Sequence, residues 1–344
     1  MQDYIRAAYV VDRYMPFVTE DDLKILTHIN IAFGLVVDGK ISVEHCKNLD
    51  YIEKIRKIKP SIKIILSVGG WGAGGFSNAA KTPEGLCKFA NSAVEIQKKY
   101  ALDGIDIDWE YPCIGWAGID AAPEDKQNFT YMLQYLRNGL DDCKAYDGGR
   151  CILTIAAGAG KYFPENTEIP KIVDILDFIS IMTYDLAGQF GGYTGHHTNL
   201  FDPKTDDPRF AWSADSTVKC FNEAGLPPEK TVLGAAFYSR AFDNVENKNN
   251  GLNQKTGTHC LYGPGYTELY ENYINKNGFV RYWDDTAKAP YLFNGSKFIT
   301  YDDPESMALK CDYIKEKGLL GIMYWEHSCD KTRQLLNVIG EKLI

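Results

Sequence analysis

Three features of the chain predict an α/β fold, a (β/α)8 barrel of the TIM type with an inserted α+β subdomain between strands 7 and 8. Eight short apolar runs, rich in β-branched residues, recur along its 344 residues. Helix-like segments separate them, the alternation expected of a closed parallel sheet. About 80 residues separate the last two runs, too many for an unstructured loop.

The elements follow in order. The first runs are AAYVV (7–11), HINIAFGLV (28–36) and IKIILSVGGW (62–71). A helix is expected over 82–100, then a fourth strand, GIDIDWE (104–110). The next helix, 124–141, is clearly marked. Pro123 and Glu124 suit a first turn, and Phe129, Met132, Leu133, Leu136 and Leu140 repeat at helical spacing. Strands five and six are CILTIAAG (151–158) and DFISIMTYDL (177–186). A helix over 213–225 leads to the seventh, TVLGAAFYSR (231–240). Residues 241–303, rich in Tyr, Asn and Gly, form the expected insertion on the barrel's C-terminal rim. A helix over 304–317 precedes the eighth strand, GIMYWE (321–326). The expected organisation is a catalytic barrel, 1–240 with 304–344, and a subdomain, 241–303, walling one side of a cleft.

Composition narrows the function. Hydrophobic residues make up 45% and charged residues 24%, enough for a large core with an ordinary surface. A formal charge of −9 argues against a nucleic-acid partner, which wants clustered Lys and Arg. No apolar run reaches the ~20 residues that span a bilayer. The N-terminus MQDYIRAAYV lacks the basic and apolar regions of a signal peptide. An extracellular protein whose signal has been removed is expected, with a cytoplasmic one as the alternative. A monomer is expected. The nine cysteines show no C-x-x-C pair, against zinc or thioredoxin-like chemistry, and most read as small buried hydrophobes.

The fourth strand carries the chemistry. DGIDIDWEYP (103–112) holds Asp103, Asp106, Asp108 and Glu110. Side chains alternate along a strand, so Asp106, Asp108 and Glu110 share one face and Ile105, Ile107 and Trp109 the other. With the Ile/Trp face on the outer helices, the acids point into the barrel and Glu110 stands nearest its C-terminal end, where barrel active sites lie. A solvated face of an antiparallel strand would also tolerate acids, but the βα alternation predicts burial on both sides. Buried carboxyls this close cannot all ionise, and the outermost rises in pKa, as a general acid requires. A divalent metal site competes, but no histidine lies nearby in sequence and the surroundings are aromatic. GWGAGG (70–75) matches a dinucleotide fingerprint by pattern, but it follows a third barrel strand and places Trp71 near the supposed phosphate. GAGKYF (158–163) lacks the spacing of a phosphate-binding loop. His196 and His197 read as a cleft-edge loop, not a metal site.

D-G-x-D-x-D-W-E-Y-P resembles the signature of the family-18 glycoside hydrolases, the chitinases. SVGGW (67–71), MTYDL (182–186), FYSR (237–240) and MYWE (323–326) resemble further motifs of that family in the same order, and the long insertion resembles that of bacterial chitinases. Ser239 and Ala8 stand where the family usually has Gly.

The resemblance implies hydrolysis of β-1,4 N-acetylglucosamine linkages in chitin or chito-oligosaccharides. The implied mechanism is retaining and substrate-assisted, through an oxazolinium ion, with no cofactor and no metal. By the same resemblance, Glu110 is the acid, Asp108 orients the substrate acetamide and Asp106 shares a proton below. Tyr184 donates to the acetamide carbonyl and Asp185 contacts the same sugar. Tyr9 and Ser67 support the Asp pair, and Trp325 floors the reacting sugar. Phe33, Gly70, Trp71, Asp103, Trp109, Tyr111, Met182, Tyr238 and Arg240 are further substrate-binding candidates. Trp116, Trp212 and Trp283 are candidates for other subsites. Non-proline cis peptides are implied at Glu110–Tyr111 and Trp325–Glu326. An endo-β-N-acetylglucosaminidase acting on N-glycans and a chitin-binding lectin are the alternatives.

Overall fold

The computed structural model describes residues 4–343, except 188–191, 206, 208–210 and 258–259. Fourteen strands are found among the described residues. They are β1 Ile5–Val11, β2 His28–Val37, β3 Lys40–Ser42, β4 Lys63–Gly69, β5 Gly104–Asp108, β6 Ile152–Gly158 and β7 Phe178–Met182. After them come β8 Thr231–Ala236, β9 Tyr238–Phe242, β10 Leu261–Gly265, β11 Val280–Asp284, β12 Ala289–Phe293, β13 Phe298–Thr300 and β14 Gly321–Trp325.

Eight parallel strands run in the order β1-β14-β8-β7-β6-β5-β4-β2, and β1–β2 pairing closes the barrel. Their apolar residues are nearly all buried, because barrel side chains fill the interior on one face and helices cover the other. The expected helices form with small shifts at their ends: Pro83–Tyr100, Asp125–Asp141, Ala214–Glu223 and Pro304–Lys317. Thr82 caps the first through the Gly85 N–H, and Asp303 caps the last in a reciprocal box with Ser306. Between β6 and β7 stand only two single-turn helices, Tyr162–Glu165 and Ile169–Ile172.

The seventh strand is shorter than its sequence pattern indicates. The apolar run 231–240 splits at Phe237, whose N–H makes a barrel bond to the Trp325 carbonyl at 2.8 Å. From Tyr238 onward the backbone pairs with β10 and β13, in a five-stranded antiparallel sheet ordered β10-β9-β13-β12-β11. Hydrophobicity persists through the split because Tyr238, Ala241 and Phe242 are buried in a different layer. The chain re-enters the barrel at Asp302, whose Oδ2 accepts from Ala236 N–H at 3.2 Å, Thr198 Oγ1 at 2.9 Å and Lys310 Nζ at 2.6 Å.

Strands four, six and eight also end short of the predicted runs, at Asp108, Met182 and Trp325. Released from the ladder, the residues just beyond are free to turn toward the barrel mouth. Non-proline cis peptides occur at Glu110–Tyr111 and Trp325–Glu326, as the resemblance implies, and also at Ala32–Phe33. The cysteines are less buried than expected: Cys143, Cys151 and Cys311 are buried, five others are intermediate and Cys87 is exposed. No helix among the described residues is long and apolar enough to cross a membrane.

Candidate active site

Strand register builds the site. Asp106 pairs level with Ser67 on β4 and Thr154 on β6. Both hydroxyls donate to it, Ser67 Oγ to Oδ2 and Thr154 Oγ1 to Oδ1, each at 2.7 Å. Tyr9 adds a third donor across the barrel, O–H to Oδ2 at 2.9 Å. Burial still raises the Asp106 pKa against these three bonds.

Asp108 lies one layer higher on the same face. Its Oδ1 is buried and has no hydrogen-bond partner among the described residues. Burial raises its pKa well above the usual range, and the charges of Glu110 and Asp106 add to this. Glu110 tops the column. Burial pushes it up to about 7, opposed by the Tyr111 O–H, which donates to Oε2 at 2.8 Å. Such a carboxyl holds its proton near neutrality, the condition for a general acid.

Asp185 behaves oppositely. It sits beyond β7 with a left-handed backbone (φ 58°). Arg240 grips it through two bonds of 2.5 Å, and His197 Nδ1 lies 3.5 Å away. Burial would raise its pKa, but the His197 and Arg240 contacts outweigh that and hold it well below the usual carboxylate range.

Asp108, Glu110, Asp185 and Arg240 line a cleft of about 600 Å³ at the C-terminal mouth of the barrel. Trp325 stacks on Phe33 with centroids 5.4 Å apart at 18°, and Tyr9 tilts against it at 5.9 Å. Gly70 puts Phe33 there: at φ 91° it adopts a backbone side chains avoid, and a Cβ would lie 2.7 Å from the Phe33 ring. Trp71, Trp116 and Trp212 also line the cleft, with Tyr111, Met182, Tyr184 and Tyr238.

Some expected residues lie elsewhere. Trp109 is buried on the helix side, stacked on Phe76 at 5.3 Å and edge-on to Phe129, because strand alternation turns it away from the acids. Trp283 is outside the cleft lining, with the Arg281 guanidinium 5.2 Å above its ring. Ser67 and Gly70 act from beneath and behind.

Asp103 is at the opposite end of the barrel, since it precedes β5 rather than following it. Its Oδ2 accepts from Arg56 Nη2 at 3.0 Å and from Ile64 N–H at 2.8 Å. Removing one partner of a buried ion pair strands the other. Asp103→Ala is therefore expected to cost about 3–5 kcal/mol in thermal or denaturant unfolding while KM stays unchanged. A raised KM with unchanged stability would place Asp103 on the substrate instead.

Sequence reading missed several residues. His197 is fully buried behind Asp185, and His196 bonds Asp284 at 3.1 Å, so this pair lies under the cleft wall rather than on an open edge. Tyr162 and Tyr262 line the cleft. Tyr162 lies within GAGKYF, weighed above only as a phosphate loop. Tyr262 lies in the insertion, where no periodicity marks it.

A barrel whose interior holds a stepped column of carboxyls beneath an aromatic cleft is the architecture of a carbohydrate-cleaving enzyme. The chain belongs to family 18 of the glycosyl hydrolases: residues 5–330 match the model described as Glycosyl hydrolases family 18. It is 42% identical over 317 residues to Chitinase A1 of Niallia circulans, covering 86% of this chain but 44% of that protein. It is 31% identical over 378 residues to Chitinase B of Serratia marcescens, covering 90% of this chain and 74% of the relative. A solved structure described as a family 18 N-acetylglucosaminidase from Paenibacillus barengoltzii superposes with a TM-score of 0.96 at 50% identity, covering 98% and 99% of the two chains. The chain thus spans less than half the length of Chitinase A1.

Proposed function

We propose that this enzyme hydrolyses β-1,4 N-acetylglucosamine linkages in chitin and chito-oligosaccharides with retention, using the substrate's acetamide as nucleophile. One observation carries the reading. Among the described residues, three carboxyls line the cleft: Asp108, Glu110 and Asp185. Asp108 ends β5 and Glu110 follows it by two residues, and Asp185 is occupied by Arg240. None is left for attack on the anomeric carbon from across the sugar, as a two-carboxyl retaining scheme needs.

In this reading Glu110 protonates the glycosidic oxygen as the C–O bond breaks. The acetamide carbonyl oxygen bonds to the anomeric carbon and gives an oxazolinium ion. Water then adds at that carbon as the bond to the acetamide oxygen breaks and the acetamide re-forms, and the water's proton returns to Glu110. Asp108, with its unpartnered buried oxygen, accepts the acetamide N–H. Asp106 shares a proton with it from below, anchored by Tyr9, Ser67 and Thr154. The Tyr184 O–H, whose hydrogen-bond partner among the described residues is Met323 Sδ at 3.9 Å, donates to the acetamide carbonyl. Asp185 and Arg240 bind the same sugar, and Trp325 stacks beneath it. Residues 1–240 with 304–344 are taken as the catalytic barrel and 241–303 as a wall of the cleft, in a monomer acting outside the cell.

The acid works only while protonated. Its pKa of about 7 lies above the ordinary glutamic value, so kcat/KM is expected to be full below that pH and to fall about tenfold per unit above it. A rate that held constant well above neutrality would exclude Glu110 as the acid. Every role is assigned to a side chain or to the substrate, so a chelator is expected to leave activity unchanged. A metal-reversible loss would favour the metal reading of the acidic column.

Incubation with chitin oligomers and with a high-mannose glycoprotein tests the substrate. Cleavage of the oligomers is expected. Cleavage of the glycoprotein alone would favour an endo-β-N-acetylglucosaminidase, and binding without cleavage a lectin.

A further inference from the structure

Two loops carry the most exposed tryptophans of the cleft. Trp71 stands on residues 70–75 after β4, and Trp116 on the segment between β5 and the helix Asp125–Asp141. Trp71 is 54% exposed and Trp116 38%, so each has ring surface to offer a sugar. Neither loop is stiff by composition. Four of residues 70–75 are glycine, and residues 115–118 are exposed. A ligand that must order its own platform binds more weakly than one that meets it preformed. Both rings must therefore be fixed by contacts beyond the loops' own backbones.

Asp120 supplies such contacts. Its Oδ1 accepts from the Gly75 N–H at 2.6 Å and its Oδ2 from the Asn78 N–H at 3.0 Å. Gly75 ends the Trp71 loop and Asn78 lies in the short helix Phe76–Ala80 that follows, so one carboxylate bridges the two loops. The approach is close. A Cβ on Gly74 would lie 2.9 Å from Asp120 Oδ1, and one on Gly72 would lie 3.9 Å from the Ala117 Cβ. The short helix is itself a fixed point, because Phe76 is fully buried and stacks on Trp109 at 5.3 Å. Past Asp120, the buried Asp125 fastens the end of the loop independently, accepting from Ser77 Oγ and from the Ala122 N–H at 2.7 Å each. Trp116 also meets Tyr162 edge-on at 4.9 Å and Tyr111 at 5.8 Å. Asp120 itself lies outside the cleft lining.

Resting on the substrate reading above, we propose that Asp120 is a positioning residue for oligosaccharide binding. It ties the Trp116 loop to the Trp71 loop, so that the two rings form one preset stacking platform for sugars beyond the reacting one. A carboxylate suits the task, since it accepts from two backbone N–H groups at once and charge-assisted bonds are the stronger kind. Losing the tie leaves the fold in place, because Asp125 still fastens the end of the loop, and it touches neither Glu110 nor Trp325. The cost then falls on the binding of long chains and not on the chemical step.

Steady-state kinetics on oligomers of two lengths test this. Asp120→Ala is expected to raise KM for chitohexaose by ~10-fold, the scale on which ordering two side chains costs affinity, with kcat within ~2-fold of wild type. Chitotriose, which reaches fewer rings, should show a smaller rise. Asp120→Asn keeps an acceptor for the Gly75 N–H and should restore most of the affinity. In a Trp116→Ala background, Asp120→Ala should add a smaller increment than it does alone, because one of the rings it positions is already gone. An unchanged KM, an equal rise for both oligomers, a fall in kcat alone, or full additivity with Trp116→Ala would overturn the role of Asp120 while leaving the chitin reading intact. Failure of the wild-type enzyme to cut any oligomer would overturn that reading and this inference with it.

Discussion

Glu110→Gln is expected to lower kcat by ~10²- to 10⁴-fold, the usual contribution of a general acid, and by more where leaving-group departure depends on it. The amide keeps the shape of the side chain and can still meet the Tyr111 O–H through its carbonyl oxygen. It has no proton to give. Binding of chitin oligomers, measured by calorimetry, is expected to change little, because stacking on Trp325 and the outer aromatic rings is untouched. The loss therefore falls on kcat and not on KM, the pattern of an interaction made in the transition state. A variant that kept a tenth of the wild-type rate would show that Glu110 is not the acid.

The second large effect concerns the substrate. Fully deacetylated chitosan and cellulose oligomers of equal length are expected to remain uncut. A retaining enzyme with its own nucleophile needs a carboxyl ~5 Å from the acid, on the far side of the anomeric carbon. Asp108 ends β5 two residues before Glu110, and Asp185 is held in the Arg240 fork. An acetamide held between Asp108 and Tyr184 replaces the missing group. Fixing it near the anomeric carbon converts an encounter into an intramolecular step, which can be worth ~7 kcal/mol or more. A thiazoline mimic of the oxazolinium ion is expected to inhibit competitively, and early NMR spectra should show the β anomer of the new reducing end. Rapid cleavage of deacetylated oligomers, or an α-anomeric first product, would overturn the mechanism even with chitin as the substrate.

Much of the barrel was legible because strand burial on both faces leaves long β-branched runs, and helix 124–141 because its apolar residues recur on one face. The acidic column was legible for a similar reason. Alternation alone puts Asp106, Asp108 and Glu110 on one face, and Ser67↔Asp106↔Thr154 register then sets the hydroxyls beside the lowest acid. Asp103 and Trp109 were misplaced when their motif was read as one functional unit. Parity and strand polarity send Trp109 to the helices and Asp103 to the barrel's base.

What the sequence determined by itself was local and periodic: which segments are strands, which face each acid takes, and that one interval is too long for a loop. Only the tertiary structure decided where the chain leaves the barrel at Phe237, that Arg240 reaches back to Asp185, and that His197, Tyr162 and Tyr262 reach the site. The physical reason is the range of the forces involved. Side-chain alternation acts between neighbours in sequence and leaves a pattern there. The Arg240–Asp185 fork joins residues 55 apart, and the raised pKa of Glu110 comes chiefly from burial by the whole surrounding cleft.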